Sequence, residues 1–154
     1  MVKYNVPLLA QEQSMCCWHT SAMMIWRYWQ TKTRRQGPMN TLAPVYKANI
    51  GLPANPQAFI TLAKTVGMKP LPNQGVYGPG KLGALLTKHG PLWCAGYWFG
   101  YGHVIVLTGI DSSNILSLND PDGAVAQEGA TSWFNAKVAK SIVGCLMCKD
   151  PGAY

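Results

Sequence analysis

Apolar positions divide the chain into a helical first part and a strand-rich second part. The run AMMIWRYW, from Ala22 to Trp29, is apolar on nearly every side and contains no Gly or Pro. A helix that is apolar all round belongs inside a domain. Ser14 stands before it in N-cap position, so a central helix is expected from about Ser14 to about Gln30, with Cys16 and Cys17 in its first turn. Residues 1–14, with Pro7, read as an extended arm, and Thr31 to Asn40 as a polar loop around Gly37-Pro38. A short helix interrupted at Pro44 is expected between Thr41 and Ile50. Asn55-Pro56 has the form of an N-cap followed by Pro at the first helical position. Phe59, Ile60, Leu62, Ala63 and Val66 follow at helical spacing and stop at Gly67. Pro70 to Gly80 reads as a Gly/Pro loop, and Lys81 to His89 as a helix carrying Leu82, Leu85 and Leu86.

After Pro91 the period shortens. Leu92 to Phe99 reads as an aromatic strand, Gly100-Tyr101-Gly102 as a hairpin turn, and His103 to Ile110 (HVIVLTGI) as a β-branched strand. Ile115 to Asn119 is a third strand, closed by the turn Asp120-Pro121-Asp122-Gly123. Ser132 to Lys140 is expected as a short helix and Ile142 to Cys148 as a last strand. Helices first and an antiparallel sheet second make an α+β chain. With 154 residues and no internal repeat, a single domain over 1–154 is expected.

Composition narrows the class. Apolar residues make up 48% and charged residues 12%, which excludes a disordered chain. No apolar run reaches the ~18 residues of a membrane-spanning helix. The N-terminal stretch MVKYNVPLLAQEQ lacks the apolar core of a signal peptide, so export, where it occurs, is expected by another route, as part of a larger carrier. The net charge of +7 points to acidic partners, while the absence of helix-turn-helix, zinc-finger or RNA-binding signatures argues against direct nucleic-acid recognition. Five cysteines, an odd number, suit reduced thiols. Cys145 and Cys148 form a CxxC without two further ligands at suitable spacing, so neither a metal nor another cofactor is expected.

Candidate chemistry centres on Cys17. A helix N-terminus favours an anion there, and a thiolate is the nucleophilic form of cysteine. Gln11, six residues earlier, can aim a side-chain N–H at whatever Cys17 attacks. A nucleophilic cysteine needs an imidazole and a group that orients it. His19 lies about 200° round the helix from Cys17, too far to face it. His89 ends a helix and reads as a cap. His103 opens a strand after a Gly-rich turn, where a side chain can project into a cleft. Asp120, on the same strand face as Leu116 and Leu118, can orient that imidazole; Asn119 is the alternative.

The spacing Gln11, five residues, then Cys17-Trp18 resembles the nucleophile segment of papain-like cysteine proteases. So does the strand from His103 to Gly109, which starts with His and ends in Gly. The Asp120-Pro121 pair is similar to that of the double-glycine leader peptidases and of papain-like effector proteases of bacteria. The resemblance implies a two-lobe fold, with a helical lobe over about 14–90, a β lobe over about 91–150 and a cleft between them. It implies Cys17 as nucleophile, His103 as acid and base, Asp120 or Asn119 as orienting group, and Gln11 as oxyanion donor. It also implies an endopeptidase needing no cofactor, with a Gly-Gly target as the first expectation. A compact basic domain of this kind looks like an antibacterial effector toxin. Such a toxin acts on a protein in a recipient cell's cytoplasm and is held by an immunity protein over its cleft. The competing readings are a Cys-His amidase or deamidase and a non-catalytic basic binding module.

Overall fold

The computed structural model describes residues 1–35 and 49–154. The helix expected between Thr41 and Ile50 falls almost wholly outside the described residues. Helix α1 spans Cys17–Thr33 and buries Trp18, Ala22, Met24, Ile25 and Tyr28, the residues that made it apolar all round. It begins later than the sequence suggested. Cys16, not Ser14, is the N-cap, because the Ser14 hydroxyl accepts a hydrogen bond from Asn49 Nδ2 at 3.2 Å. Helix α2, Pro56–Val66, starts as expected: Asn55 Oδ1 accepts from Ala58 N at 2.8 Å, and Gly67 closes the helix. Helix α3, Pro79–His89, gains a turn's start at Pro79, and α4 is Thr131–Lys137.

Seven strands form one antiparallel sheet: β1 Val2–Lys3, β2 Met68–Pro70, β3 Leu92–Gly96, β4 His103–Ile110, β5 Ile115–Asp120, β6 Val125–Ala130 and β7 Leu146–Lys149. The order is β2-β7-β3-β4-β5-β6, with β1 added to β4. The chain is therefore α+β, with helices packed on an antiparallel sheet, as the sequence indicated. No described helix is long and apolar enough to cross a membrane.

Three strands escaped the sequence pattern. β6 reads VAQEGA and is largely exposed; its register against β5, from Ile115↔Ala130 to Asp120↔Val125, makes it a strand, not its own propensity. β2 is only three residues, held by Met68↔Lys149. β1 pairs beside a bulge in β4, where Gly109 lets Val2 O approach to within 2.6 Å of the place a Cβ would occupy. Conversely, the strand expected to reach Phe99 stops at Gly96. A Cβ there would sit 2.6 Å from Trp98 Cε2 and 2.7 Å from Lys137 O, so the close approach of α4's end requires glycine.

β4 is buried along its whole length, and α1 lies across it and β3. Two hydrogen bonds pin the crossing: Ser21 Oγ donates to Val104 O at 3.2 Å, and Trp93 Nε1 donates to Trp18 O at 3.1 Å. Because Ser21 and Trp18 lie in the first turns of α1 and Val104 follows His103, this crossing sets the start of the helix beside the start of the strand.

Candidate active site

Cys17 is the first residue of α1 and is half-buried, whereas the other four cysteines are buried. All five are free thiols. Burial holds Cys94 well above the ordinary thiol range and raises Cys148 to about 11. Burial, then the neighbouring Cys17, raises Cys16 as well, so the adjacent cysteine is the poorer nucleophile. The CLMC cysteines face the interior, where Cys145 Sγ lies 3.9 Å from the Tyr77 hydroxyl.

His103 is buried at the head of β4, and its Nε2 lies 2.6 Å from Asp120 Oδ1. Burial alone would lower its pKa. The hydrogen bond to Asp120, and after it the influence of Cys17, outweigh burial and carry it up to about 9. With Nε2 engaged by the carboxylate, Nδ1 is the ring nitrogen left for the thiol. Asp120 is itself tied down. Its Oδ1 also accepts from Asp122 N at 2.9 Å, and Oδ2 accepts from Gln127 Nε2 at 3.4 Å. Asn119 points elsewhere: its Nδ2 donates to Val6 O at 3.2 Å, clamping the N-terminal arm. His19 stacks edge-on to Trp18, and burial lowers its pKa. His89 is lowered by burial and by Lys69 and Lys88, at the far end of the molecule.

Gln11 is bound to the same turn as Asp120 through its backbone, since Gln11 N donates to Pro121 O at 2.8 Å. Its side chain rests on its own turn. Nε2 donates to Gln13 O at 3.1 Å and Ser14 O at 3.0 Å, while Oε1 is buried without a partner.

Two contributors, Asn49 and Gln127, were not singled out by the sequence. Asn49, in the left-handed region at φ 52, reaches the nucleophile turn from more than thirty residues away. Its Oδ1 accepts from Met15 N at 2.9 Å and its Nδ2 donates to Ser14 Oγ, while Trp18 Nε1 donates to Ile50 O at 3.0 Å next door. Gln127 comes from the unexpected strand β6. Phe99 and Tyr101, on the hairpin before β4, place their rings 5.9 and 5.7 Å from the His103 ring. Of the aromatic residues between Trp93 and Tyr101, Trp93 and Trp98 fill the core, while Tyr97, Phe99 and Tyr101 are exposed, the last two beside the imidazole.

Cys17 and His103 line a common cleft of about 330 Å³ with apolar walls that include Leu52, Phe59, Ala95 and Ile142. A thiol at a helix N-terminus, an imidazole held by a carboxylate and a cleft open to a polypeptide suit attack on a carbonyl. Among the described residues no three His, Cys, Asp or Glu side chains gather as a metal set. The sequence model of the family described as papain-like cysteine protease AvrRpt2 matches residues 1–139.

Proposed function

The chain belongs to that papain-like cysteine protease family, and from this premise we propose that it is an effector endopeptidase whose Cys17, His103 and Asp120 act as a triad. The observation that supports the triad most is the buried 2.6 Å contact between His103 and Asp120 in the cleft that also holds Cys17. In this mechanism the Cys17 thiolate attacks the scissile carbonyl carbon, and the carbonyl electrons move to oxygen. The oxyanion accepts hydrogen bonds from the Cys17 backbone N–H, at the open end of α1, and from Gln11 Nε2. The second donor first gives up the Gln13 or Ser14 carbonyl, a rearrangement within one turn. The His103 imidazolium protonates the leaving amine as the C–N bond breaks, and a thioester remains. The neutral imidazole then takes a proton from the water that hydrolyses it, returning the thiol. Asp120 holds the ring and stabilises its charged form.

The substrate is a protein, cut on the carboxyl side of glycine, with Gly-Gly as the target motif. The enzyme works in the cytoplasm of a recipient bacterium as the toxin part of a larger secreted effector, and an immunity protein covers its cleft in the producer. Five free cysteines suit such a reducing compartment.

Expression of the wild-type and Cys17→Ala forms in bacteria, followed by mass-spectrometric mapping of new protein N-termini, tests this. The expected result is a small set of cuts after glycine, absent with Cys17→Ala. Ammonia release from side chains without chain cleavage would replace the endopeptidase with a deamidase.

A further inference from the structure

The C-terminal ends of α1, α2 and α3 converge on one pole of the molecule, far from the cleft. Gly90, just past α3, lies so close to the Trp29 indole of α1 that a Cβ would come within 2.5 Å of its Cζ2. Gly67, which closes α2, accepts a hydrogen bond from Asp150 N at 2.9 Å, and Met68 after it pairs with Lys149. Lys149 Nζ in turn sits 5.4 Å from the Trp29 ring. Six of the thirteen Lys and Arg residues gather here: Lys32, Arg34, Arg35, Lys69, Lys88 and Lys149. Lys32, Arg34, Arg35 and Lys88 are exposed. Arg35 and Lys149 repel one another, and Lys69 and Lys88 both bear on His89.

The ordinary explanation for cations at helix C-termini is the helix dipole. Three C-termini supply about −1.5 charges in all, spent within the last turn. That accounts for Lys32 and Lys88; Lys149 rests its Nζ over the Trp29 and Tyr154 rings, and Arg34, Arg35 and Lys69 are left over. No carboxylate among the described residues forms an ion pair with them; Asp150 acts on Lys149 only from longer range. The only ion pair among the described residues is His103–Asp120, so neither Asp150 nor the terminal carboxylate pairs with a described Lys or Arg. Asp150 Oδ1 instead accepts from Gly152 N at 2.9 Å. Residues 36–48, which follow Arg35, contain no Asp or Glu. Like charges collected from four separate elements, with Asp150 the one carboxylate shown to act on any of them among the described residues, cost stability and raise the local positive potential.

We infer that this pole is a docking surface for an acidic stretch of the protein substrate. A polypeptide is the ligand class the cleft already takes, and charge complementarity selects an acidic one. The identity of the occupant rests on the protease reading; the presence of an anion-binding face does not. The seventeen residues of α1 separate the pole from Cys17 by about 25 Å. An extended chain covers that distance in about eight residues, so the acidic stretch lies at least that far from the scissile bond.

Fluorescence anisotropy of labelled poly-L-glutamate with the Cys17→Ala protein tests the surface without reference to activity. Reversing Arg34, Arg35 and Lys69 to Glu is expected to weaken binding by about tenfold or more, whereas reversing Lys3, Lys81 and Lys137 changes it by less than about twofold. Should the first triple fail to fold, Lys32→Glu with Lys88→Glu serves the same purpose. Equal weakening by the pole and control triples would reduce the effect to net charge and overturn the inference. So would absent binding, or tighter binding of a short DNA duplex or of anionic phospholipid vesicles. In wild-type enzyme, the pole triple is expected to raise KM for a glycine-site peptide bearing a distant Glu tract, and to leave kcat and the untailed peptide unchanged. An unchanged KM for the tailed peptide would remove the substrate from this face even if polyglutamate binds.

Discussion

The two walls of the cleft are built on different terms. On the imidazole side, His103 belongs to a strand paired with β3 and β5, and its carboxylate partner ends the neighbouring strand. Asp120 is further fixed by Asp122 and Gln127, both within seven residues of it. On the thiol side, Cys17 follows an irregular turn whose shape depends on Asn49, far away in sequence. The proposed oxyanion donor, Gln11, has its amide nitrogen on two backbone carbonyls and a buried oxygen with no partner. The difference teaches that charge and geometry are handled separately. The sheet supplies the largest upward pull on the His103 pKa, with Cys17 adding to it, whereas in the proposed mechanism the turn has one hydrogen bond to move when substrate arrives. Changes on the sheet side should therefore move pH profiles, and changes on the turn side should move rates at unchanged pH dependence.

The largest effect is expected at Asp120. Asp120→Ala should lower kcat/KM by about 10²-fold or more, the scale of a lost contribution to acid–base catalysis. Asp120→Asn should shift the alkaline limb of the pH–rate profile, set by the imidazolium near 9, to lower pH. The linkage has a definite sign. His103 binds its proton more tightly folded than unfolded, so the stabilisation is complete below the unfolded value of about 6.5 and fades as pH rises through about 9. It amounts to roughly 3 kcal/mol for a shift of this size. The urea midpoint of the wild type should fall across that window more than the midpoint of Asp120→Asn. Parallel curves would show that the carboxylate does not set the charge of His103.

The same division explains what the sequence disclosed. The helix around Met24 and Ile25, the strand from His103 and the turn at Asp120-Pro121 all carry strong local signals: continuous apolarity, β-branching, and turn chemistry. Asp120 and His103 could be matched because their strands are adjacent and the alternation of Leu116 and Leu118 fixes which way Asp120 points. The start of α1 was misjudged by three residues because Ser14 has a tertiary partner, and capping propensity weighs only local bonds. β6 was invisible for a related reason: VAQEGA becomes a strand through its ladder to β5, and Gln127 arrives at Asp120 with it. The basic pole was equally hidden. Lys32, Arg34 and Arg35 are a visible cluster, but Lys69, Lys88 and Lys149 join them only once three helix ends meet.

A smaller effect, confined to the turn side, is expected at Asn49. Asn49→Gly keeps the left-handed backbone at φ 52 available while deleting the side chain, so it separates the two contributions. Loss of the bonds to Met15 N and Ser14 Oγ should let the turn drift and lower kcat by about tenfold, since small misplacements at the reacting centre are costly. KM should stay within about twofold and the alkaline limb should stay close to 9, because the Asp120 hydrogen bond, the largest upward contribution, is untouched. A shifted pH profile in Asn49→Gly would show that the two walls are coupled after all.

The smallest effect on activity is expected one residue from the largest. Asn119 shares β5 with Asp120 but turns to the opposite face, where its Nδ2 donates to Val6 O. Asn119→Ala removes a buried hydrogen bond and leaves the Val6 carbonyl unpaired, a loss of about 1–3 kcal/mol of stability. The N-terminal arm should loosen, which hydrogen exchange at the β1–β4 pairing would register. His103 keeps its carboxylate in this variant, so kcat/KM should remain within about twofold at temperatures well below unfolding. Were Asn119→Ala inactive and Asp120→Ala active, the orienting role would belong to the amide, and the 2.6 Å contact would have to be a structural ion pair with no part in turnover.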